Sequence, residues 1–203
     1  MLLSRILSNT RPALIAAVAA AAVAGCAMPP TKQTFPALTY AHKGAMVFNA
    51  SNVEVVQTYI PPMKEPNIDH LAPVQPAAAM MQWGRDRLKA GGGPYKVRMT
   101  VTDGRIVDTP LPIEGGIRGS LTRQQSDRYT ATVAAEIVVS DERGQQVGFV
   151  RTNAERSRTV AEGTPPAERD KVLFDLTEQV MNDMDARLEA AIREHLARFV
   201  QLP

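Results

Sequence analysis

Leu173, Leu176, Val180, Met184, Leu188, Ile192, Leu196 and Phe199 recur at a mean spacing of about 3.7 residues near the C-terminal end of this chain. An apolar stripe of that length must be buried along its whole course. A left-handed coiled coil needs a repeat of about 3.5, so the spacing predicts a straight helix laid on a sheet. Thr164-Pro165 opens the helix, and Glu168 and Asp170 follow near the positive end of its dipole. Asp183–Arg187, Glu189–Arg193 and Glu194–Arg198 are i,i+4 pairs in the favourable order and read as a solvated outer face.

The sheet such a helix needs is written upstream. Residues 46–60 carry Val53-Glu54-Val55-Val56-Gln57-Thr58-Tyr59, rich in β-branched and aromatic side chains, and predict a first strand ended by Pro61 and Pro62. Pro76 opens a short helix with Ala77, Met80, Met81, Gly84 and Leu88 on one face, and Gly91-Gly92-Gly93-Pro94 is expected to stop it. Tyr95, Val97, Met99 and Val101 then alternate with polar residues. Tyr129, Ala131, Val133, Ala135, Ile137 and Val139 do the same, so each run marks a half-buried strand. Asp141-Glu142-Arg143-Gly144 is a hairpin turn. A fourth strand follows from about Gln146, with a bulge expected where its apolar register changes between Phe149 and Val150. The order strand, helix, three strands, long helix predicts an α+β fold. It is a two-layer sandwich, with about four mainly antiparallel strands and both helices on one face. The strands flanking the first helix are expected to be parallel neighbours.

Chemistry is sparse along this framework. His42, His70 and His195 fall in separate segments with no H-x-x-x-H or H-E-x-x-H spacing, and one cysteine is present, so neither a metal site nor a disulfide framework is predicted. G-x-S-x-G is absent, and the triple glycine precedes a strand, so it offers no phosphate cradle on a helix. Glu155, Arg156 and Arg158 read as a solvated strand face. No catalytic residue, cofactor or metal is expected. Aromatic residues are 5% of the chain, which argues against a platform for stacking bases. Two loops hold more interest. Residues 108–127 form a long connection with Leu111, Ile113, Ile117 and Leu121 spaced among glycines, which either folds back over the sheet edge or is a candidate segment for binding a partner or lipid. The Pro-rich stretch 61–76 reads as a structural crossover.

The N-terminus reads as an address. Arg5 and Arg11 precede an unbroken apolar run over residues 13–24, followed by Val23-Ala24-Gly25-Cys26. Basic start, apolar core and small-residue site describe a secretory leader. As a helix, twelve residues reach about 18 Å, short of the roughly 30 Å of a bilayer core. Val23, Ala24, Gly25 and Cys26 resemble the lipobox of bacterial lipoproteins, in which the cysteine thiol accepts diacylglycerol and the chain is cleaved before it. That resemblance implies lipidation at Cys26 and a further acyl chain on its new amino group. Removing 25 of the 203 residues leaves 178 and takes Arg5 and Arg11 from the 23 basic residues, so 21 basic residues face 21 acidic ones. A balanced body gives no footing to nucleic acid. Residues 26–44, with Pro29, Pro30, Pro36 and Gly44, are expected to be a flexible tether, and 45–203 a single domain.

The lipobox followed by this strand–helix–strands–helix pattern resembles envelope lipoproteins of Gram-negative bacteria. In architecture it is similar to LPS-assembly lipoproteins and to auxiliary lipoproteins of ABC-type lipid transport. The likeness implies a non-enzymatic lipoprotein on the periplasmic face of the outer membrane. Ala27, not Asp, follows Cys26, and in the best-known sorting system Asp there favours inner-membrane retention. The expected partners are the membrane, through the lipid anchor, and an envelope protein or transport complex. The alternative is an anchored periplasmic carrier of lipid or another small ligand.

Overall fold

The computed structural model describes residues 33–112 and 124–201. From Phe35 onward they belong to one compact unit. Its order is β1 (Met46–Gln57), α1 (Pro76–Arg87), β2 (Leu88–Pro110), β3 (Gln125–Ser140), β4 (Gln146–Ala161), α2 (Pro166–His195) and a two-residue β5 (Val200–Gln201). The sheet order is β4-β3-β2-β1-β5; β1 and β2 are parallel and the other pairs antiparallel. Both helices pack on one face, α1 over β1 and β2 and α2 over β3 and β4. This is the expected α+β two-layer sandwich.

The core lies where the two periodicities meet. Every residue of the long stripe, from Leu173 to Phe199, is buried, facing Val97, Met99, Val101 and the inward row of β3 from Tyr129 to Val139. Thr102 is an extra residue between the Val101–Ala135 and Asp103–Ala134 pairs. It shifts the inward parity, so Gly104 and Ile106 continue the row that Val101 ends. The absence of a side chain at Gly104 lets α1 sit close: a Cβ there would lie 2.5 Å from that of Ala77. The outer face is solvated and carries cross-strand pairs: Glu54 with Arg98, Glu136 with Arg151, and Thr130 with Ser157.

Several local expectations need correction. The first strand ends at Gln57, before Pro61. Helix α1 ends at Arg87 and runs directly into β2 through an extended Leu88; the glycines do not stop it. They form a bulge inside β2, since Phe48 pairs with Ala90 and Ala50 with Tyr95. Gly92 and Gly93 take positive φ there, and a Cβ on Gly93 would lie 1.9 Å from the Asn49 side-chain oxygen. The β4 irregularity is at Val147, between the Ser140–Gln146 and Val139–Gly148 pairs, not between Phe149 and Val150. There Gly148 makes room for Leu196 and Phe199, while Phe149 points outward under the Arg151 guanidinium.

The i,i+4 ladder is also only partly made. Glu189 pairs with Arg193. Asp183 instead pairs with Arg156 of β4, Arg187 donates to the Asn153 carbonyl, and Arg198 donates to the Val147 carbonyl. Arg156 lies beside inward-facing Ala131 at the sheet edge, so it reaches the helix and is no free strand-face charge. Finally, β2 and β3 run further than the alternation suggests. Pro110 pairs with Asp127, which shortens the expected 108–127 connection to residues 111–124.

Candidate functional site

Residues from Phe35 to Gly44 are not free tether. The Phe35 ring meets that of Phe174 on α2 at 5.1 Å. Thr39 Oγ1 and the Tyr40 backbone N–H both donate to Asp86 Oδ2 on α1, at 3.1 and 2.8 Å. Tyr40 is buried; that burial, then Asp185, Glu178 and Asp86, hold its phenol well above the ordinary tyrosine range. Ala41–Lys43 makes one 3₁₀ turn. This strap lies against both helices, and composition hides it because its anchors are isolated residues with no period.

At the inner end of the strap lies a buried polar cluster. Asp185 of α2 is 3% exposed. Its Oδ1 accepts from Trp83 Nε1 at 2.7 Å, and its Oδ2 accepts from Lys43 Nζ at 2.6 Å. Arg87 is fully buried: it donates to the Lys43 and Gly44 carbonyls and to Glu189 Oε2 at 2.6 Å, and its Nε lies 3.5 Å from Asp185 Oδ1. Two i,i+4 pairs on facing helices, Trp83 with Arg87 and Asp185 with Glu189, thus hold the strap's last turn. That repeated spacing is the signal in the sequence that could have found them. Beside the other end of the strap, an open groove of about 610 Å³ runs along Leu38, Pro73, Val74 and Ala78.

The second feature is the crossover from β1, which leaves beside Val101 and runs along β2 towards the pole where β2 turns back and α2 begins. The crossover is pinned here as a substitute strand: Ile68 N–H donates to Ile106 O, Asp108 N–H donates to Pro66 O, both at 2.8 Å, and Asn67 bridges Val107. The pinned side buries Ile68 and Asp69. Along the crossover and its approach Ile60, Met63 and Leu71 are exposed by 83%, 64% and 60%. Acidic groups gather nearby. Burial, then the neighbouring Asp127, raises the Asp108 carboxyl above the usual range, while Arg169 opposes the shift. Burial, then Asp69, raises the Tyr59 phenol. The Asp69 carboxylate accepts no hydrogen bond of ordinary geometry.

Of the residues singled out from sequence, Leu111 is half-buried at this pole and its N–H donates to Ser126 O at 2.7 Å. Ile113, Ile117 and Leu121 lie outside the described residues, as do Val23, Ala24, Gly25 and Cys26. His42, His70 and His195 sit in the strap, the crossover and the end of α2. Among the described residues no group of three or more His, Cys, Asp or Glu is placed to hold a metal ion. Also among them, no helix is long and apolar enough to cross a membrane.

No protein-family model and no curated protein matches the chain. Two solved structures to which it is similar are lipoproteins. A minor lipoprotein from Acinetobacter baumannii is 11% identical, with a TM-score of 0.35, over 75% of this chain and 96% of its own. Lipoprotein GNA1162 from Neisseria meningitidis is 14% identical, with a TM-score of 0.19, over 56% of this chain and 58% of its own. Neither name supports the likeness to LPS-assembly lipoproteins.

Proposed function

We propose that this chain is a non-enzymatic envelope lipoprotein, acylated on Cys26, whose domain binds or steadies an envelope protein or transport complex. The observation that carries the reading is Val23-Ala24-Gly25-Cys26 at the end of the apolar run that starts at Ala13. Ala27 after Cys26 favours the periplasmic face of the outer membrane over retention in the inner one. The strap supports the same reading, because a domain held by its N-terminal segment needs that segment fixed to its body. The interior favours docking over carriage. Between sheet and helices the space is filled by Phe48, Met80, Trp83, Met99, Met181 and Met184, all fully buried. The connection carrying Leu111, Ile113, Ile117 and Leu121 is the proposed partner contact.

The test is fractionation of a Gram-negative host producing the full chain and its Cys26→Ser variant. The account expects the parent in the membrane fraction and the variant folded in the soluble periplasm. A Cys26→Ser protein that remained wholly membrane-bound would contradict it.

A further inference from the structure

The two edges of the sheet are unlike. β4 forms one of them over its whole length, and it is guarded. Arg187 of α2 donates to the Asn153 carbonyl and Arg198, just beyond α2, to the Val147 carbonyl, both at 2.7 Å. The strand also carries Arg151, Glu155, Arg156 and Arg158. Capped carbonyls and charged side chains blunt an edge against strand addition. The opposite edge has no such guard. β5 covers β1 at Val47 and Phe48, and it runs antiparallel, so it leads away from the rest of β1. Among the described residues no strand pairs with the outer side of β1 beyond Phe48.

That open stretch is regular from Asn52 to Gln57, where β1 pairs with β2 from Lys96 to Val101. Val53 and Val55 pack on the core yet are only half-buried, and Asn52, Glu54 and Val56 alternate with them on the outer face. The stretch has three valines, no proline and one charge, Glu54, which Arg98 compensates at 2.8 Å. A short strand of high β-propensity and low net charge on an open edge is a template for another copy of itself.

We propose that β1 from Asn52 to Gln57 pairs antiparallel with the same segment of a second copy, joining two sheets across a two-fold axis. The edge dictates the chemistry of its partner, because its unpaired N–H and C=O groups are matched by another extended backbone. A two-fold axis presents each copy with the same edge. The valine rows of the two copies then meet on the helix side, and Glu54, held by its own Arg98, does not oppose the approach. The pairing is independent of acylation and goes beyond the anchored reading.

Native mass spectrometry of the full chain, purified in detergent from a Gram-negative host, reads copy number and acylation together. Asn52→Lys and Val56→Lys set like charges across the proposed axis. Phe149→Lys, at an exposed position of β4, is the control. Trp83 emission checks that each variant is folded. The parent is expected to dimerise in the micromolar range, with slower hydrogen exchange at the amides of residues 53–57 in the dimer. Both β1 lysines are expected to weaken the dimer at least about tenfold, while Phe149→Lys leaves it unchanged. A parent that stays monomeric, a dimer that either β1 lysine leaves intact or that Phe149→Lys weakens equally, or protection of residues 53–57 only by a strand of another protein would overturn the pairing. An acylated monomer would overturn the pairing and leave the anchor standing; an unacylated dimer weakened by both β1 lysines would support the pairing and contradict the anchor.

Discussion

Asp185 shows how much can hang on one side chain. Its two oxygens accept from Trp83 and Lys43 and face the buried Arg87. Removing one partner of such a cluster strands the others in a low-dielectric interior. Asp185→Ala is therefore expected to cost about 3–5 kcal/mol in urea unfolding. Trp83 is the single tryptophan of the chain, so its emission reports on this cluster directly. A loss no larger than that of a surface carboxylate would show that the cluster is not buried as described. Asp108 gives the opposite sign. Its raised carboxyl binds a proton more tightly folded than unfolded. The resulting stabilisation is present at acid pH and is lost as pH rises through the folded value. Asp108→Asn should therefore raise the melting temperature at pH 7, and the gain should shrink as pH falls from the raised folded value to the ordinary carboxylate value. The sequence did not point to either residue, because the relevant partners come from other elements.

At the scale of elements, period was legible and exceptions were not. The stripe from Leu173 to Phe199 and the alternation from Tyr129 to Val139 both came through as buried faces, since each residue repeats the message of the one before. Gly91-Gly92-Gly93 was misread as a helix stop because a glycine run serves a cap and a bulge equally well. Its meaning depends on Asn49 across the parallel strand, which the local sequence cannot show. The two-residue β5 pairs with Val47 and Phe48, far away in sequence, and carries no pattern of its own. The strap behaves similarly, held by single anchors. Its Tyr40 amide donates to Asp86 Oδ2, so Asp86→Ala should speed hydrogen exchange at the Tyr40 amide while leaving β3 amides unchanged. Unaltered Tyr40 protection would mean that the strap is held by other contacts.

For the whole molecule, the candidate site was legible as chemistry and not as geometry. Cys26 and the three residues before it stand out at a fixed place behind an apolar run. The crossover over residues 61–76 was read as structural, and its pinned side is so. Only the fold reveals that Ile60, Met63 and Leu71 stay exposed along or beside it. In the proposed reading a body of balanced charge is tethered to a bilayer through Cys26. The most direct measurement is the intact mass of the protein purified from the membranes of a Gram-negative host. The account predicts a chain beginning at Cys26 and carrying diacylglycerol with a further acyl group on its amine. A mass corresponding to the uncleaved leader, or to an unmodified thiol at Cys26, would contradict it.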